Sequence, residues 1–141
     1  MENVLDQLDT SAVAVDCDPL LGLVKLWQFG NYTLDLLLQV DGLPESLRCN
    51  VENFCQKRHM SRVYCIGVDL QSCTMNVYFD LGENTIDGIL DIFRDLEFEP
   101  PSDATTLDFL AGQGAFAMTL GWDQPKCERV CFYMASLCMN K

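Results

Sequence analysis

Three segments of the chain share one layout, in which an apolar, strand-like run is followed by a polar turn and a second run. They lie near residues 11–29, 63–79 and 115–134, so the layout recurs about every fifty residues. Each first run is mostly apolar and is followed by an acidic residue, and Asp, Gly or Pro marks the turn before the second run. The repeat therefore predicts three β-hairpins, with Asp16, Asp69 and Asp123 at equivalent positions.

Helical periodicity fills the stretches between the hairpins, with shorter candidates at 33–40 and 104–111. The predicted core-facing positions are Leu47, Val51, Phe54 and Cys55 in one helix and Ile86, Ile89, Leu90, Phe93 and Leu96 in another. Hairpins that alternate with helices predict an α+β fold of αββα repeats, in which an antiparallel sheet has helices on its outer face. We expect a single domain over residues 1–141.

Charge and composition narrow the range of partners. The net charge of −12 at pH 7 disfavours nucleic acid and anionic membranes, because both repel an acidic protein. No apolar run approaches the roughly 20 residues of a membrane-spanning helix. The chain has eight cysteines, and no basic, apolar secretion signal follows Met1. We therefore expect free thiols, a cytoplasmic protein, and no nucleic-acid or membrane partner.

Strand alternation sorts the hairpin side chains into two faces. In the second strand of each hairpin, one face carries a cationic or polar residue followed by an aromatic residue two or four positions later. The three sets are Lys25 with Trp27 and Phe29, Thr74 with Asn76 and Tyr78, and Arg129 with Cys131 and Tyr133. Two interpretations remain open: solvated cations beside core aromatics, or a pocket with cations at one level and rings at the next.

Three motifs, in this order and spacing, resemble those of one enzyme family. Residues 62–79 (R-V-Y-C-I-G-V-D … T-M-N-V-Y-F) resemble the V-D … N-x-Y-F hairpin of the bacterial and fungal αββα-barrel (ABBA) aromatic prenyltransferases. Residues 120–133 (L-G-W-D … E-R-V-C-F-Y) are similar to the L-x-W … D-R-V-C-F hairpin of that family. Residues 24–27 (V-K-L-W) are similar to its K-T-W/Y strand.

The resemblance implies a fold, a reaction and partners. Family members form a closed barrel of ten antiparallel strands from five repeats, with helices outside, and this chain matches three central repeats. They transfer a dimethylallyl or similar prenyl group from its diphosphate to an electron-rich aromatic acceptor. The expected partners are a prenyl diphosphate and a small aromatic molecule. A partial barrel would also leave open sheet edges, which favour self-association.

Carried over position by position, the resemblance also implies a binding site. The diphosphate-binding positions are occupied by Lys25, Thr74, Asn76 and Arg129. The candidates for the prenyl and aromatic pocket are Trp27, Tyr64, Tyr78, Cys131 and Tyr133. The chain has no D-D-x-x-D motif, so we expect no metal ligands and a reaction that needs neither magnesium nor another cofactor.

Two departures from the family pattern bear on activity. A diphosphate-binding tyrosine of the family appears here as Ala117, or is offset to Phe116. The last lysine of the diphosphate site has no match. Two alternatives therefore stand beside an active enzyme: a catalytically inactive, truncated family member, and a non-enzymatic acidic interaction domain. Diphosphate binding separates the family readings from the interaction domain, and product formation separates an active member from an inactive one.

Overall fold

The computed structural model describes residues 2–82, 84–123 and 126–133. Its strands are β1 (Ala12–Asp18), β2 (Gly22–Thr33), β3 (Arg62–Asp69), β4 (Thr74–Asp80), β5 (Ala115–Gly121) and β6 (Cys127–Tyr133). Its helices are α1 (Glu2–Leu5), α2 (Leu34–Leu38), α3 (Glu45–Lys57), α4 (Ile86–Asp95) and α5 (Ala104–Ala111). Each predicted hairpin contains two of these strands. Residue 134, the predicted end of the third hairpin, lies outside the described residues.

All six strands form one antiparallel sheet in chain order, from β1 at one edge to β6 at the other. The pairs β1–β2, β3–β4 and β5–β6 are the hairpins. The pairs β2–β3 and β4–β5 join them across the connections that contain the helices. The predicted α+β class, with αββα repeats and an antiparallel sheet, is confirmed.

Helices cover one face of the sheet and form the core with it. The fully buried sheet residues on that face are Val63, Ile66, Val68, Met75, Val77, Phe79, Phe116, Met118 and Leu120. The ring of Phe54 on α3 lies 5.1 Å from that of Phe79 and 5.3 Å from that of Phe116, measured between ring centres. These contacts pack α3 against β4 and β5.

The helices mostly follow their predicted faces. In α3 the buried residues are the four predicted ones, Leu47, Val51, Phe54 and Cys55. In α4 the buried residues are Ile89, Ile92 and Phe93, so Ile92 takes the core position predicted for Leu90, which is only half-buried. Within the part of the chain that the structure describes, no helix is both long and apolar enough to cross a bilayer.

The turns correct the predicted alignment of the repeats. The Asp69 carboxylate accepts two backbone N–H groups of the β3–β4 turn at 3.1 and 3.0 Å. In the β1–β2 turn the same role belongs to Asp18, whose carboxylate accepts two backbone N–H groups at 2.8 and 3.0 Å. Asp16 instead pairs with Lys25 inside the hairpin. The predicted equivalence of Asp16 and Asp69 is therefore wrong, because the β1–β2 ladder continues as far as Asp18.

Candidate active site

The face of the sheet opposite the core, here called the open face, presents its side chains in four rows that cross the strands. From the hairpin turns inward, the register gives a first row of Asp16, Lys25, Asp69 and Thr74; a second of Trp27, Gly67, Asn76, Thr119 and Arg129; a third of Phe29, Cys65, Tyr78, Ala117 and Cys131; and a fourth of Asp80, Ala115 and Tyr133. Successive rows lie two residues apart along each strand, about 6.4–6.8 Å.

The four predicted diphosphate-binding residues all lie on the open face, in its first two rows. Thr74 and Asn76 are on the central strand β4, while Lys25 and Arg129 stand two strands away on either side. With strands about 4.7–4.9 Å apart, each cation is separated from β4 by about 10 Å of sheet. Lys25 and Arg129 thus lie on either side of the polar residues Thr74 and Asn76.

The middle of this group is crowded although no helix covers it. Thr74, Asn76, Tyr78 and Thr119 are 6%, 4%, 8% and 5% exposed. Neighbouring side chains on the same face therefore cover one another. This crowding keeps bulk water away from the polar centre.

Asn76 is held in a defined orientation by the adjacent strand. The Thr119 hydroxyl donates a hydrogen bond to the Asn76 side-chain carbonyl oxygen at 2.6 Å, and both residues are buried. The amide nitrogen of Asn76 is therefore the part left to donate to a ligand. The Thr74 hydroxyl, one row away, shares a 2.8 Å hydrogen bond with Ser72.

Lys25 lies between two carboxylates on neighbouring strands, since Asp16 and Asp69 are its direct cross-strand partners. Burial raises the pKa of Asp69, but hydrogen bonds from the turn and the charge of Lys25 outweigh this and leave that pKa below its ordinary value. The Lys25 ammonium lies 5.0 Å from the centre of the Trp27 ring. The negative charges of Asp16 and Asp69 therefore partly offset the positive charge of Lys25 at the β2 side of the site.

Three of the predicted pocket residues form a connected group of rings. The Trp27 indole N–H donates to the Tyr78 hydroxyl at 3.0 Å, and the ring of Tyr133 lies 5.7 Å from that of Tyr78. Burial raises the pKa of both tyrosines, so their hydroxyls stay protonated near neutral pH. Cys131 lies on the same face, one row above Tyr133.

Gly67 makes the Trp27–Tyr78 contact possible. It lies on β3, directly between Trp27 on β2 and Asn76 on β4. A Cβ atom at this position would lie 2.8 Å from Trp27 Cδ1 and 3.5 Å from a Tyr78 ring carbon. The indole therefore occupies the space that any side chain on residue 67 would need.

Tyr64 is the predicted pocket residue that the structure leaves outside this group. Val63 belongs to the helix-covered core, whereas Cys65 packs with Tyr78 on the open face, so regular alternation breaks between them. The break adjoins an irregularity in β2 between Phe29 and residue 32. Tyr64 is half-buried at this break.

The two positions proposed for the family tyrosine, Ala117 and Phe116, lie on opposite faces of the sheet. Ala117 lies on the open face between Tyr78 and Cys131, whereas Phe116 is fully buried in the helix-covered core. The alternative of an offset to Phe116 is therefore excluded by the direction of its side chain. The hydroxyl that the family pattern places here is missing.

Sequence reasoning missed three participants in the site: Thr119, Gly67 and Asp16. Thr119 alternates with Ala117 on β5, so extending the alternation argument to the first strand of each hairpin would have found it. Asp16 could have been found in the same way on β1. Gly67 has no side chain, and only the path of the Trp27 indole shows its role.

Comparison with known proteins identifies the family of this chain. The profile of the family described as aromatic prenyltransferase Orf2 matches residues 3–141. The chain belongs to this family of aromatic prenyltransferases. An aromatic prenyltransferase of Botryotinia fuckeliana (strain B05.10) is 32% identical over 134 residues, which cover 86% of this chain and 41% of the relative.

Two bacterial aromatic prenyltransferases are similar to about the same degree. A flaviolin linalyltransferase of Streptomyces virginiae is 30% identical, with 84% of this chain and 41% of the relative covered. A furaquinocin biosynthesis prenyltransferase of Streptomyces sp. (strain KO-3988) is 31% identical, with 84% and 40% covered. The chain therefore spans about two fifths of the length of the curated relatives that it matches.

Proposed function

We propose that this chain provides the diphosphate-binding and prenyl-binding part of an aromatic prenyl transfer reaction. The observation that carries the proposal is the order of the rows on the open face. Lys25, Thr74, Asn76 and Arg129 lie together in the first two rows, and the rings of Tyr78 and Tyr133 follow in the next two. A prenyl diphosphate has the same order, an anionic head followed by an apolar chain.

The reaction begins when the C–O bond between the prenyl group and its diphosphate breaks. The electron pair leaves with the diphosphate, and an allylic cation remains. Lys25 and Arg129 neutralise the growing negative charge, while Thr74 and the Asn76 amide donate hydrogen bonds to it. Donors fixed in advance at a developing charge are usually the largest contribution to catalysis, about 2.7–4 kcal/mol for one donor in an oxyanion site.

The allylic cation then reacts with the aromatic acceptor. A ring carbon of the acceptor forms the new C–C bond, and the ring loses a proton to restore aromaticity, so the products are the prenylated arene, diphosphate and a proton. The faces of Trp27 and Tyr78 stabilise the cation through the ring quadrupole, by roughly 0.5–2 kcal/mol per ring. They also exclude water, which would convert the cation to an alcohol.

We further propose that diphosphate binding needs no magnesium. Lys25 and Arg129 supply the positive charge that a metal would otherwise bring. Binding of inorganic pyrophosphate to the purified chain, followed by isothermal titration calorimetry, should then persist in EDTA. Loss of binding on chelation and its recovery with magnesium would contradict this, and Asp16 beside Lys25 would be the first carboxylate to replace.

The test of the site compares Arg129→Gln with Arg94→Gln. Arg129 is in the site, whereas Arg94 forms an ion pair with Asp91 on the exposed surface of α4. Losing one charged hydrogen-bond donor should weaken pyrophosphate binding by about 1.5–3 kcal/mol in the first variant and leave it unchanged in the second. Equal affinity in all three proteins would refute the proposed anion site.

A catalytically inactive member of the family is the second candidate. Ala117 favours it, because the missing hydroxyl removes one donor from the diphosphate site. This candidate predicts diphosphate binding without prenylated product. An acidic interaction domain predicts neither.

The expected partners and cellular location of the protein follow from the same proposal. Its partners are a prenyl diphosphate and a small aromatic acceptor, and the edge strands β1 and β6 of the described sheet would pair with further strands. The seven cysteines among the described residues are all free thiols, which supports the reducing cytoplasm as the place of action.

A further inference from the structure

The side chain of Lys25 has both acidic and aromatic neighbours on the open face. Asp16 and Asp69 lie directly across from it on the two adjacent strands. None of the ion pairs formed between described residues includes Lys25, whereas its ammonium lies 5.0 Å from the centre of the Trp27 ring. The ammonium therefore lies over the indole rather than against a carboxylate.

The indole of Trp27 is fixed across β3. Its N–H donates to the Tyr78 hydroxyl on β4 at 3.0 Å, and Gly67 on β3 leaves the space that the ring fills. In the register of the sheet, Gly67 also lies directly between Trp27 and Asn76. The ring thus covers the strand that separates Lys25 from Asn76.

This arrangement sets the direction of the Lys25 side chain. An exposed ion pair and a cation–π contact are of comparable strength, so an ammonium close to both partners can bind either one. An ion pair with Asp16 would draw the ammonium toward β1, at the edge of the sheet. The contact with Trp27 draws it toward β3 and Asn76 instead.

The two aspartates do not compete equally for Lys25. The Asp69 carboxylate already accepts two backbone N–H groups of the β3–β4 turn. Asp16 is exposed and takes no part in the β1–β2 turn, where the N–H groups bond to Asp18. Asp16 is therefore the carboxylate that is more free to capture the ammonium.

We propose that Trp27 positions Lys25 for the diphosphate, by holding its ammonium over β3 and away from Asp16. The inference rests on the proposed function, since it takes the diphosphate to bind at Lys25, Asn76 and Arg129. Trp27 acts here through Lys25 and does not need to touch the diphosphate. This role is separate from shielding the allylic cation, because it applies to an anion that carries no prenyl group.

Isothermal titration calorimetry of purified residues 1–141 with inorganic pyrophosphate tests the role of Trp27 without turnover. Trp27→Leu should weaken binding about threefold or more, because the ammonium loses the ring that holds it. In a Lys25→Met background the same substitution should change the affinity less than about twofold, since no ammonium is left to position. Phe109→Leu, on the exposed surface of α5, is the matched control and should bind like the wild type.

Rescue by Asp16→Asn distinguishes positioning from a purely structural role. With residue 16 neutral, the ammonium has no competing carboxylate on β1. Trp27→Leu should then weaken binding less than about twofold relative to Asp16→Asn alone. A loss caused by disturbed packing around Tyr78 would be as large in this background as in the wild type, and that result would refute the inference.

The other outcomes separate the inference from the proposed function. If Lys25→Met weakens pyrophosphate binding but Trp27→Leu does not, the role of Trp27 is refuted and the diphosphate site stands. The same conclusion follows if Trp27→Leu weakens binding equally with and without Lys25. If Trp27→Leu fails to fold, Gly67→Ala, which displaces the indole, decides the question in the same backgrounds.

Two results would reach beyond Trp27. If Lys25→Met binds pyrophosphate as well as the wild type does, Lys25 is not part of the site and the inference is wrong, while Asn76 and Arg129 can still bind the anion. If the wild type binds no pyrophosphate, both the proposed function and the inference are wrong.

Discussion

At the scale of single residues, one buried hydrogen bond determines what the candidate site offers to an anion. The Thr119 hydroxyl donates to the Asn76 carbonyl oxygen, so the amide nitrogen of Asn76 faces a ligand. Without this bond, the side-chain amide could turn and present its oxygen, which repels phosphate. Thr119 therefore acts through Asn76 and does not need to touch the ligand.

We expect Thr119→Val to lower stability and weaken pyrophosphate binding together. The substitution keeps the shape of the side chain but leaves the buried oxygen of Asn76 without its donor, which costs about 1–3 kcal/mol. Urea unfolding and calorimetry measure the two effects. Thr105→Val, on the exposed surface of α5, is the matched control, and an equal effect of both substitutions would contradict the role of Thr119.

Two buried thiols make the stability of the protein sensitive to alkaline pH. Burial raises the pKa of Cys55 and of Cys65 from 9.0 to about 12. Above pH 9 the unfolded chain releases protons that the folded chain retains, so this stability is complete below pH 9 and is lost as the pH rises toward 12. The loss is about 1.4 kcal/mol per pH unit for each thiol.

Urea unfolding at several pH values between about 8 and 10 tests this dependence. In Cys65→Ala, the free energy of unfolding should fall less steeply with pH, because one of the two buried thiols no longer contributes to the slope. A free energy of unfolding that is the same across this range in the wild type would show that the thiols ionise equally in the folded and unfolded chain.

The sequence predicts site residues that carry a charge or a strongly polar group, and it misses residues that act only by positioning another side chain. Alternation predicts that Lys25, Asn76 and Arg129 share a face with aromatic residues, and the resemblance to the family assigns them to the diphosphate. Thr119 was missed because a threonine in an apolar strand gives no sign of its partner on β4. Asp16 was misaligned because the hairpin register, rather than spacing in the chain, decides which aspartate reaches the turn.

At the scale of elements, β3 lacks a side chain at the one position where side chains from β2 and β4 meet above it. Its glycine at 67 lets the Trp27 side chain on β2 reach over β3 to Tyr78 on β4. Glycine usually weakens a strand, because it packs nothing. Here the absence of a side chain allows a contact between strands that are not adjacent.

We expect Gly67→Ala to displace the Trp27 indole and break its hydrogen bond to Tyr78. A Cβ atom 2.8 Å from the indole forces the ring away, at a cost of about 1 kcal/mol for the lost bond. In a Trp122→Phe background, the fluorescence of Trp27 should shift to longer wavelength as the ring becomes solvated. Gly112→Ala at the end of α5 meets no such obstacle and should leave the spectrum unchanged.

The helices were predicted more closely than the strands. Period alone identified all four buried residues of α3, since that helix packs one regular face on the sheet. The irregularity of β2 after Phe29 could not be foreseen, because it arises from how β2 pairs with β3. As a result, the alternation that placed Trp27 and Tyr78 correctly does not describe Tyr64.

At the scale of the whole molecule, the sheet formed by the described residues ends in two edges, β1 and β6, that pair with no further strand among them. All of β1 is exposed except Asp18, which is half-buried, and its outer valines, Val13 and Val15, are each 55% exposed. Unpaired strand amides and carbonyls bind other strands readily. We therefore expect purified residues 1–141 to self-associate through β1 and β6.

Val15→Lys tests this expectation, because an inserted lysine is a common device that blocks pairing at sheet edges. Size-exclusion chromatography with light scattering should show a concentration-dependent oligomer for the wild type and mainly monomer for Val15→Lys. Leu36→Lys removes an exposed leucine from α2 and adds the same charge away from the edge, so it should associate like the wild type. A wild-type monomer at all concentrations would contradict edge pairing.

The open sheet should also determine which product residues 1–141 form from a prenyl diphosphate. The rings of Trp27 and Tyr78 shield one side of an allylic cation, but the six strands of the described residues do not close around the other side. Water then competes with the aromatic acceptor, so ionisation should yield mostly prenyl alcohol and little C-prenylated arene. The products from dimethylallyl diphosphate with naphthols, phenols and indoles can be separated by chromatography. Efficient C-prenylation by a monodisperse monomer would contradict this expectation, because it would show that the protein excludes water from the open face without self-association.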